Sequence, residues 1–408
     1  MPSVNRVNYD RYGANERKVQ RRIKECRFKL KHPGLLVALM VLLLVGFRMA
    51  TLETDLNLAT TIEIPEGVSL EGLGAEVSGV KWAAAVDGKV IRDDLKVQPT
   101  ASTTKMILSL AVLEKKPISA GEKGPKIKIT NEMYNIWGWY LNNDGSNTQV
   151  EINEEITEYD ALVSVMLASS NNMADSLAIW AFGSIEEYQK YATDMLKRMG
   201  VTNTTIGTKD ASGYDPSTTS TASDLARIGY FVMNHPVLSE IVALEKAEVP
   251  VAGEIRNTNK LLGKSSISGI KTGFIGDESG YCVVTGYKKD EHIITVAVLG
   301  AATRDGSFDN NLITVKELQS KLIDQEMFKR GDTVGYYESW WTGKVPVTAN
   351  ESFSELNYKG AEHKAEILVN DLKLKVGEKE YEVSLTVPEF SRNPSLIQRF
   401  LHIFGWKK

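Results

Sequence analysis

Apolar and polar positions change period several times along the chain, and each change marks an element. Gly34 to Phe47 is an unbroken apolar run that resumes after Arg48 and ends at Leu52. Such a run predicts a helix able to span a bilayer if Arg48 snorkels. Residues 53–75 hold no sustained period and are expected to form a linker. Val80–Val86 and Lys89–Ile91 flank Asp87-Gly88, the pairing that favours a two-residue hairpin turn. Met106, Ile107, Leu110 and Leu113 then recur at helical spacing, predicting a helix to about Lys116. Residues 117–156 are turn-rich, with Tyr134, Trp137, Trp139 and Tyr140 read as a small packing cluster. Helical periodicity fills 157–200 with a break at Ala168–Asn172, and returns over Thr221–Met233. Gly280–Tyr287 and His292–Leu299 read as adjacent antiparallel strands, followed by a helix from Leu312 to about Phe328. Strands, then helices, then strands again predict an α+β fold, with an antiparallel sheet carrying its helical material on one side.

Beyond residue 330 the period is two. Leu372, Leu374 and Val376, then Tyr381, Val383, Leu385 and Val387, alternate across a turn at Gly377 and predict a small all-β domain. After Pro394, Leu396 to Trp406 place their apolar residues on one helical face, suited to a membrane interface or to docking on the protein's own β domain. The expected organisation is a basic tail over 1–33, a transmembrane signal anchor over 34–52, a linker over 53–75, a catalytic domain over 76–328, a β-rich domain over 329–390 and an amphipathic helix over 391–408.

Charge supports that layout. The 408-residue chain has a net charge of -4, yet positions 1–31 hold ten basic and three acidic residues, so a +7 head precedes a remainder of -11. The positive-inside rule puts the head in the cytoplasm and the rest outside, as a single-pass protein of the cell membrane. The acidic body argues against a nucleic-acid partner. Cys26 and Cys282 fall on opposite sides of the membrane in this layout and so do not pair; Cys282 reads as a buried strand residue.

Candidate chemistry starts at Ser102 and Lys105, three apart where an extended segment enters a helix, so that a hydroxyl lies beside an amine. A confined lysine can take the proton of serine and so activate it. Ser170-Asn171-Asn172 lies at the junction between helices, and Lys271-Thr272-Gly273 precedes a strand. In order, these match the S-x-x-K, S-x-N and K-T-G motifs of penicillin-binding proteins and serine β-lactamases. Together with Pro99–Lys105, Ser169–Ala174, Asp210–Gly213, Thr221–Ala226, Asn257–Leu262 and Gly269–Tyr281, they make residues 76–325 resemble the low-molecular-weight penicillin-binding proteins. These are serine-type D-alanyl-D-alanine carboxypeptidases of peptidase family S11, with a β-lactamase/transpeptidase-like fold.

The resemblance implies a reaction. Ser102 attacks the carbonyl between the terminal D-alanines of a peptidoglycan stem peptide, and β-lactams acylate the same serine. Lys105 is the base, its proton affinity lowered by burial and by Lys271. Ser170 relays a proton to the leaving amine, Asn172 holds Lys105 and the substrate amide, and Lys271 and Thr272 bind the terminal carboxylate. Gly273 lets substrate backbone lie close to the strand, and the N–H groups of Ser102 and Phe274 form the oxyanion hole. No metal or cofactor is called for. Where the family often carries an arginine before a phenylalanine, this chain has Ser307 before Phe308, leaving the carboxylate to Arg304 or to Lys271 and Thr272 alone. The alternatives are a DD-endopeptidase built on the same machinery and a non-catalytic cell-wall receptor. A class A β-lactamase is disfavoured because no Glu-x-x-Leu-Asn loop lies between the second and third motifs.

Overall fold

The structure, a computed structural model, describes residues 33–368, 371–376 and 379–406. The basic head with Cys26, the Gly377 turn and the two final lysines lie outside the described residues. Helix α1 (Pro33–Ala50) carries the apolar run, with its leucines and valines largely exposed. It ends two residues short of the expected Leu52, where the Thr51 hydroxyl donates to Phe47 O at 3.0 Å. Its 18 residues rise about 27 Å. Among the described residues no helix is long and apolar enough to cross a membrane.

The expected linker is structured. Strand β1 (Asn57–Thr60) joins the C-terminal sheet, and Leu56, Leu58, Ile62 and Ile64 pack on that sheet's core. Farther on, Leu70 and Leu73 pack against a separate core that includes Trp82, Val283, Val298 and Phe308. Each apolar pair is too short and too widely separated to register as a periodic run, so only the tertiary partner reveals it.

The five-stranded sheet comprises β2 (Lys81–Val86), β3 (Lys89–Arg92), β4 (Ile270–Gly273), β5 (Tyr281–Lys289) and β6 (His292–Ala301), in the antiparallel order β4-β5-β6-β2-β3. Asp87 and Gly88 both have positive φ (47° and 79°), as the primed turn between β2 and β3 requires. Between β3 and β4 the chain forms α2 (Lys105–Lys115), α3 (Asn131–Asn142), α4 (Glu158–Met166), α5 (Asn171–Phe182), α6 (Ile185–Arg198), α7 (Ala222–Asn234) and α8 (Pro236–Val242). Helix α3 occupies part of the segment expected to be turns; the Thr130 hydroxyl caps it by accepting from Met133 N–H.

Alternation along the strands sends side chains to two cores. Ala83, Ala85, Val284 and Ala297 face the helical side, whereas Trp82, Ala84, Val283, Val296 and Val298 meet Phe308, Val315 and Leu318 of α9 (Arg304–Lys321). The sheet is therefore covered on both faces, not one. Helix α9 starts at Arg304, eight residues before the expected Leu312. Arg304-Asp305-Gly306-Ser307 has the composition of a turn, but Thr303 accepts from Gly306 N–H and caps a helix there. Residues 324–328, expected to be helical, form a strand paired with 353–356.

The C-terminal domain adds β7 (Thr333–Ser339), β8 (Gly343–Ala349), β9 (His363–Ile367), β10 (Asp371–Val376) and β11 (Lys379–Thr386), ordered β1-β7-β8-β11-β10-β9. Helix α10 (Leu396–Ile403) starts with a Ser395/Gln398 capping box. It docks on its own β domain: His402 stacks on Trp340 at 4.1 Å and Gln398 Nε2 donates to Trp341 O at 3.3 Å. Arg399 reaches back to Met49 O of α1 at 2.9 Å, while Leu396, Ile397 and Trp406 stay exposed.

His292 ties the two domains together. Its Nδ1 lies 2.6 Å from Asp87 Oδ2 in the β2–β3 turn, and its Nε2 bonds Glu355 of the C-terminal domain. Burial alone would favour neutral imidazole, but the bonds to Asp87 and Glu355 outweigh it and raise the pKa to about 9. A raised histidine pKa stabilises the fold fully below its unfolded value near 6.5 and ceases to do so as pH rises through about 9. The contribution is on the order of 2 kcal/mol. Replacing His292 with Gln should therefore lower the melting temperature at pH 6 by several degrees and have a smaller effect at pH 10, as read by calorimetry.

Candidate active site

Ser102 lies in a single 3-10 turn, residues 101–104, that runs directly into α2. Ala101 before it adopts φ +47°, a left-handed backbone unusual for a residue with a Cβ and of a kind that collects at functional sites. Gly213 of the adjoining loop packs so near Ala101 O that a Cβ there would collide with it. The turn and the loop thus hold the serine between them.

Lys105 is fully buried on the first turn of α2, and its Nζ has three partners. Ser102 Oγ lies at 2.8 Å, Asn171 Oδ1 at 2.7 Å and Ser212 O at 2.7 Å. Burial, the largest influence, lowers its pKa to about 7, although Asp210 and Asp175 pull in the other direction. A neutral amine has two N–H bonds and one lone pair. With both protons committed to the two carbonyl oxygens, the lone pair is left for the hydroxyl of Ser102, the geometry a general base needs. Lys271 was expected to depress Lys105; the larger cause is burial, and it is Lys271 whose own pKa falls well below the usual lysine value through burial and then Lys105.

The S-x-N motif lies one residue earlier than the sequence reading placed it. Ser170 is the N-cap of α5: its Oγ accepts from Met173 N–H at 3.4 Å and donates to Asn172 Oδ1 at 2.8 Å. Asn172 in turn accepts from Thr148 N–H and donates to Thr148 O, clamping a loop rather than touching Lys105. Asn171 makes that contact, and Ser169, at φ +60°, lines the cleft with Ser102. Ser169-Ser170-Asn171 also fits S-x-N, so two overlapping matches were present. Helix capping decides between them, because a serine spent on the cap cannot face the substrate.

The opposite wall is the edge strand β4. Lys271 is buried, with Nζ donating to Thr272 O at 3.1 Å, so it stands behind the cleft instead of lining it. Thr272 does line it, its Oγ1 2.7 Å from Thr258 Oγ1. Arg304, the first residue of α9, faces the same cleft, while the Ser307 hydroxyl folds back to donate to Arg304 O at 2.7 Å. A Cβ on Gly273 would sit 3.0 Å from Ser102 N and 3.1 Å from Thr100 O, so the strand approaches the nucleophile as closely as backbone allows. Gly273→Ala should push β4 away from Ser102 and cut kcat by about 10²-fold, measured as D-alanine release, with the melting temperature little changed. Phe274 follows, stacked on Tyr281 at 4.1 Å. The cleft has a lobe of about 330 Å³ towards Thr272 and Arg304 and another of about 540 Å³ towards Asn143, Asn171 and Tyr214. Ser102 belongs to both.

Residues 85–303 match the family described as peptidase S11, D-alanyl-D-alanine carboxypeptidase. The chain belongs to this family. It is 26% identical over 288 residues to the D-alanyl-D-alanine carboxypeptidase DacF of Bacillus subtilis, covering 68% of this chain and 69% of DacF. It is 31% identical over 230 residues to DacC of Escherichia coli, covering 53% of this chain and 54% of DacC. In fold it is similar to a peptidoglycan synthesis regulatory factor (PBP3) of Streptococcus pneumoniae, with a TM-score of 0.61 at 17% identity, over 77% of this chain and 99% of that one. As an S11 peptidase, the chain is a serine-type D-Ala-D-Ala carboxypeptidase acting on peptidoglycan stem peptides.

Several residues of this S11 site escaped the sequence reading. Ser212, whose carbonyl accepts from Lys105, and Asp210, which holds the Ser212 loop, belong to a loop that carries the family resemblance but were given no role of their own. Asp175 carried no signal beyond a polar residue within a helical stretch, and Tyr140 read as one member of an aromatic packing cluster in a turn-rich segment.

Proposed function

We propose that Ser102 Oγ attacks the carbonyl carbon of the penultimate D-alanine while Lys105 Nζ takes its proton. The C–O bond forms, a tetrahedral oxyanion develops, and the N–H groups of Ser102 and Phe274 receive it. Collapse breaks the C–N bond; the proton passes from Lys105 through Ser169 to the leaving amine, and D-alanine departs. Water then attacks the acyl-enzyme with Lys105 again as base, restoring Ser102. Thr272 and Arg304 bind the departing carboxylate, and the acyl chain extends into the lobe beside Asn143 and Tyr214. The arrangement of Lys105 between two fixed acceptors and Ser102 carries this assignment.

Because the base works unprotonated, kcat/KM should rise with pH through a midpoint near 7, the value to which burial lowers Lys105. Release of D-alanine from a D-Ala-D-Ala pentapeptide measured from pH 5 to 9 tests this, and a profile flat across 5 to 8 would contradict it. The same preparation incubated with purified sacculi separates carboxypeptidase from endopeptidase action: loss of terminal D-alanine with cross-links intact is expected.

The catalytic domain is proposed to stand outside the cell membrane, tethered by the N-terminal region. The exposed apolar helix α1 and the +7 head before it support that reading. Alkaline carbonate extraction of membranes should leave the protein in the pellet, and protease added to spheroplasts should remove the catalytic domain. Release into the carbonate supernatant contradicts the anchor.

A further inference from the structure

The carbonyl that accepts from Lys105 is held in place by two buried carboxylates on different elements. Asp210 Oδ1 accepts from the N–H groups of Ser212 (2.8 Å), Gly213 (2.6 Å) and Tyr214 (3.2 Å), and Oδ2 from that of Asp215 (2.7 Å). Its capacity is consumed within its own loop. Asp175 works between elements: one oxygen accepts from Ala211 N–H at 2.8 Å and the other from the Tyr140 hydroxyl at 2.7 Å. Tyr140 OH is also 3.2 Å from Ser212 Oγ. The Ser212 loop is thus tied at Ala211 to α5 and at the Ser212 side chain to α3.

Asp175 stands four residues after Asn171, on the same face of α5. One face of one helix therefore supplies the first acceptor for Lys105 directly and anchors the second through Ala211. A shift of Asp175 moves the Ser212 carbonyl, and with it the direction of the Lys105 lone pair.

Charge adds to position. The groups facing Lys105 and Asp175 are Asp210 from the loop, Lys271 from β4, Tyr140 from α3 and Tyr188 from α6, with the Lys209–Asp215 ion pair at the loop's outer side. Burial first, and Asp210 second, raise the Asp175 carboxyl to about 7, against the pull of Lys105. Tyr188 is buried and holds its proton more tightly than free tyrosine through burial and then the two carboxylates. An ionised Asp175 favours the ammonium form of Lys105, and a neutral one favours the free amine.

We propose that Asp175 is a positioning residue for the acylation step, fixing the Ser212 carbonyl against Lys105 and placing a titratable negative charge beside it. The role rests on Lys105 being the base. Asp175→Asn separates the two parts of the role. Asparagine Oδ1 can still accept from Ala211 N–H, and its Nδ2 can donate to Tyr140, whose hydroxyl turns to Ser212, so the scaffold is kept and the charge is lost.

The rate constant for acylation by benzylpenicillin, measured against pH on the full chain, is the readout. In Asp175→Asn the acid limb should move to lower pH by about one unit, because the charge that held the proton on Lys105 is gone. In Asp175→Ala, which loses both bonds, the high-pH plateau should fall tenfold or more while the melting curve stays cooperative. Acylated wild type with an unmoved acid limb in Asp175→Asn overturns the electrostatic role of Asp175 and leaves Lys105 standing. An Asp175→Ala plateau equal to the wild type overturns the positioning role. Wild type that takes no penicillin removes the Lys105 assignment and this role with it.

Discussion

Ser102→Ala should lower D-alanine release from a D-Ala-D-Ala pentapeptide by about 10⁴-fold or more, with the melting temperature within a degree or two of the wild type. The hydroxyl removed here is the bond-forming atom, so no other side chain in the cleft replaces it. Its loss also frees Lys105 Nζ from one of three partners but leaves the bonds to Asn171 Oδ1 and Ser212 O. The buried amine thus remains satisfied, which is why stability is spared. Single-turnover assays at high enzyme concentration would separate this outcome from slow product release. Release within tenfold of the wild type would remove Ser102 as nucleophile.

The second large effect distinguishes neighbouring serines. Ser169→Ala should reduce kcat by about 10²–10⁴-fold through loss of the proton path to the leaving amine, at nearly unchanged stability. Ser170→Ala should do the reverse. It removes the cap of α5 and leaves Asn172 Oδ1 short of a donor, costing about 1–3 kcal/mol, while kcat falls by only a few-fold. Paired kinetics and thermal melts on the two variants decide the register, and a large kcat loss confined to Ser170→Ala would restore the sequence-based placement.

That register shows where the sequence sufficed and where it did not. Spacing was enough for Ser102 and Lys105, because three residues across a turn into a helix leave little choice of geometry. It was enough for the β2–β3 hairpin, because Asp87 and Gly88 tolerate the positive φ its turn demands. Within Ser169-Ser170-Asn171-Asn172 two matches overlapped, and only the start of α5 separates them. The same difficulty concealed the beginning of α9, where Thr303 caps a segment that reads as a turn. Strand β1 was hidden for another reason: four residues pair with a sheet nearly 280 positions away, and no local period records a partner that distant. Asp175 and Tyr140 reach the site through Ala211 and Ser212, and Asp175 also through its charge near Lys105, so their place in it emerges once α3, α5 and the loop are packed together.

In the proposed mechanism Ser102 Oγ is the atom that bonds to substrate and Lys105, 2.8 Å away, is the base that frees it. Benzylpenicillin tests both at once, since its lactam ring opens on the activated serine and stays attached. Incubation of the full chain with the antibiotic, followed by proteolysis and mass spectrometry, should find one molecule added to the peptide containing Ser102, and none in Ser102→Ala. An unmodified wild type, or an adduct on any other residue, would contradict the account.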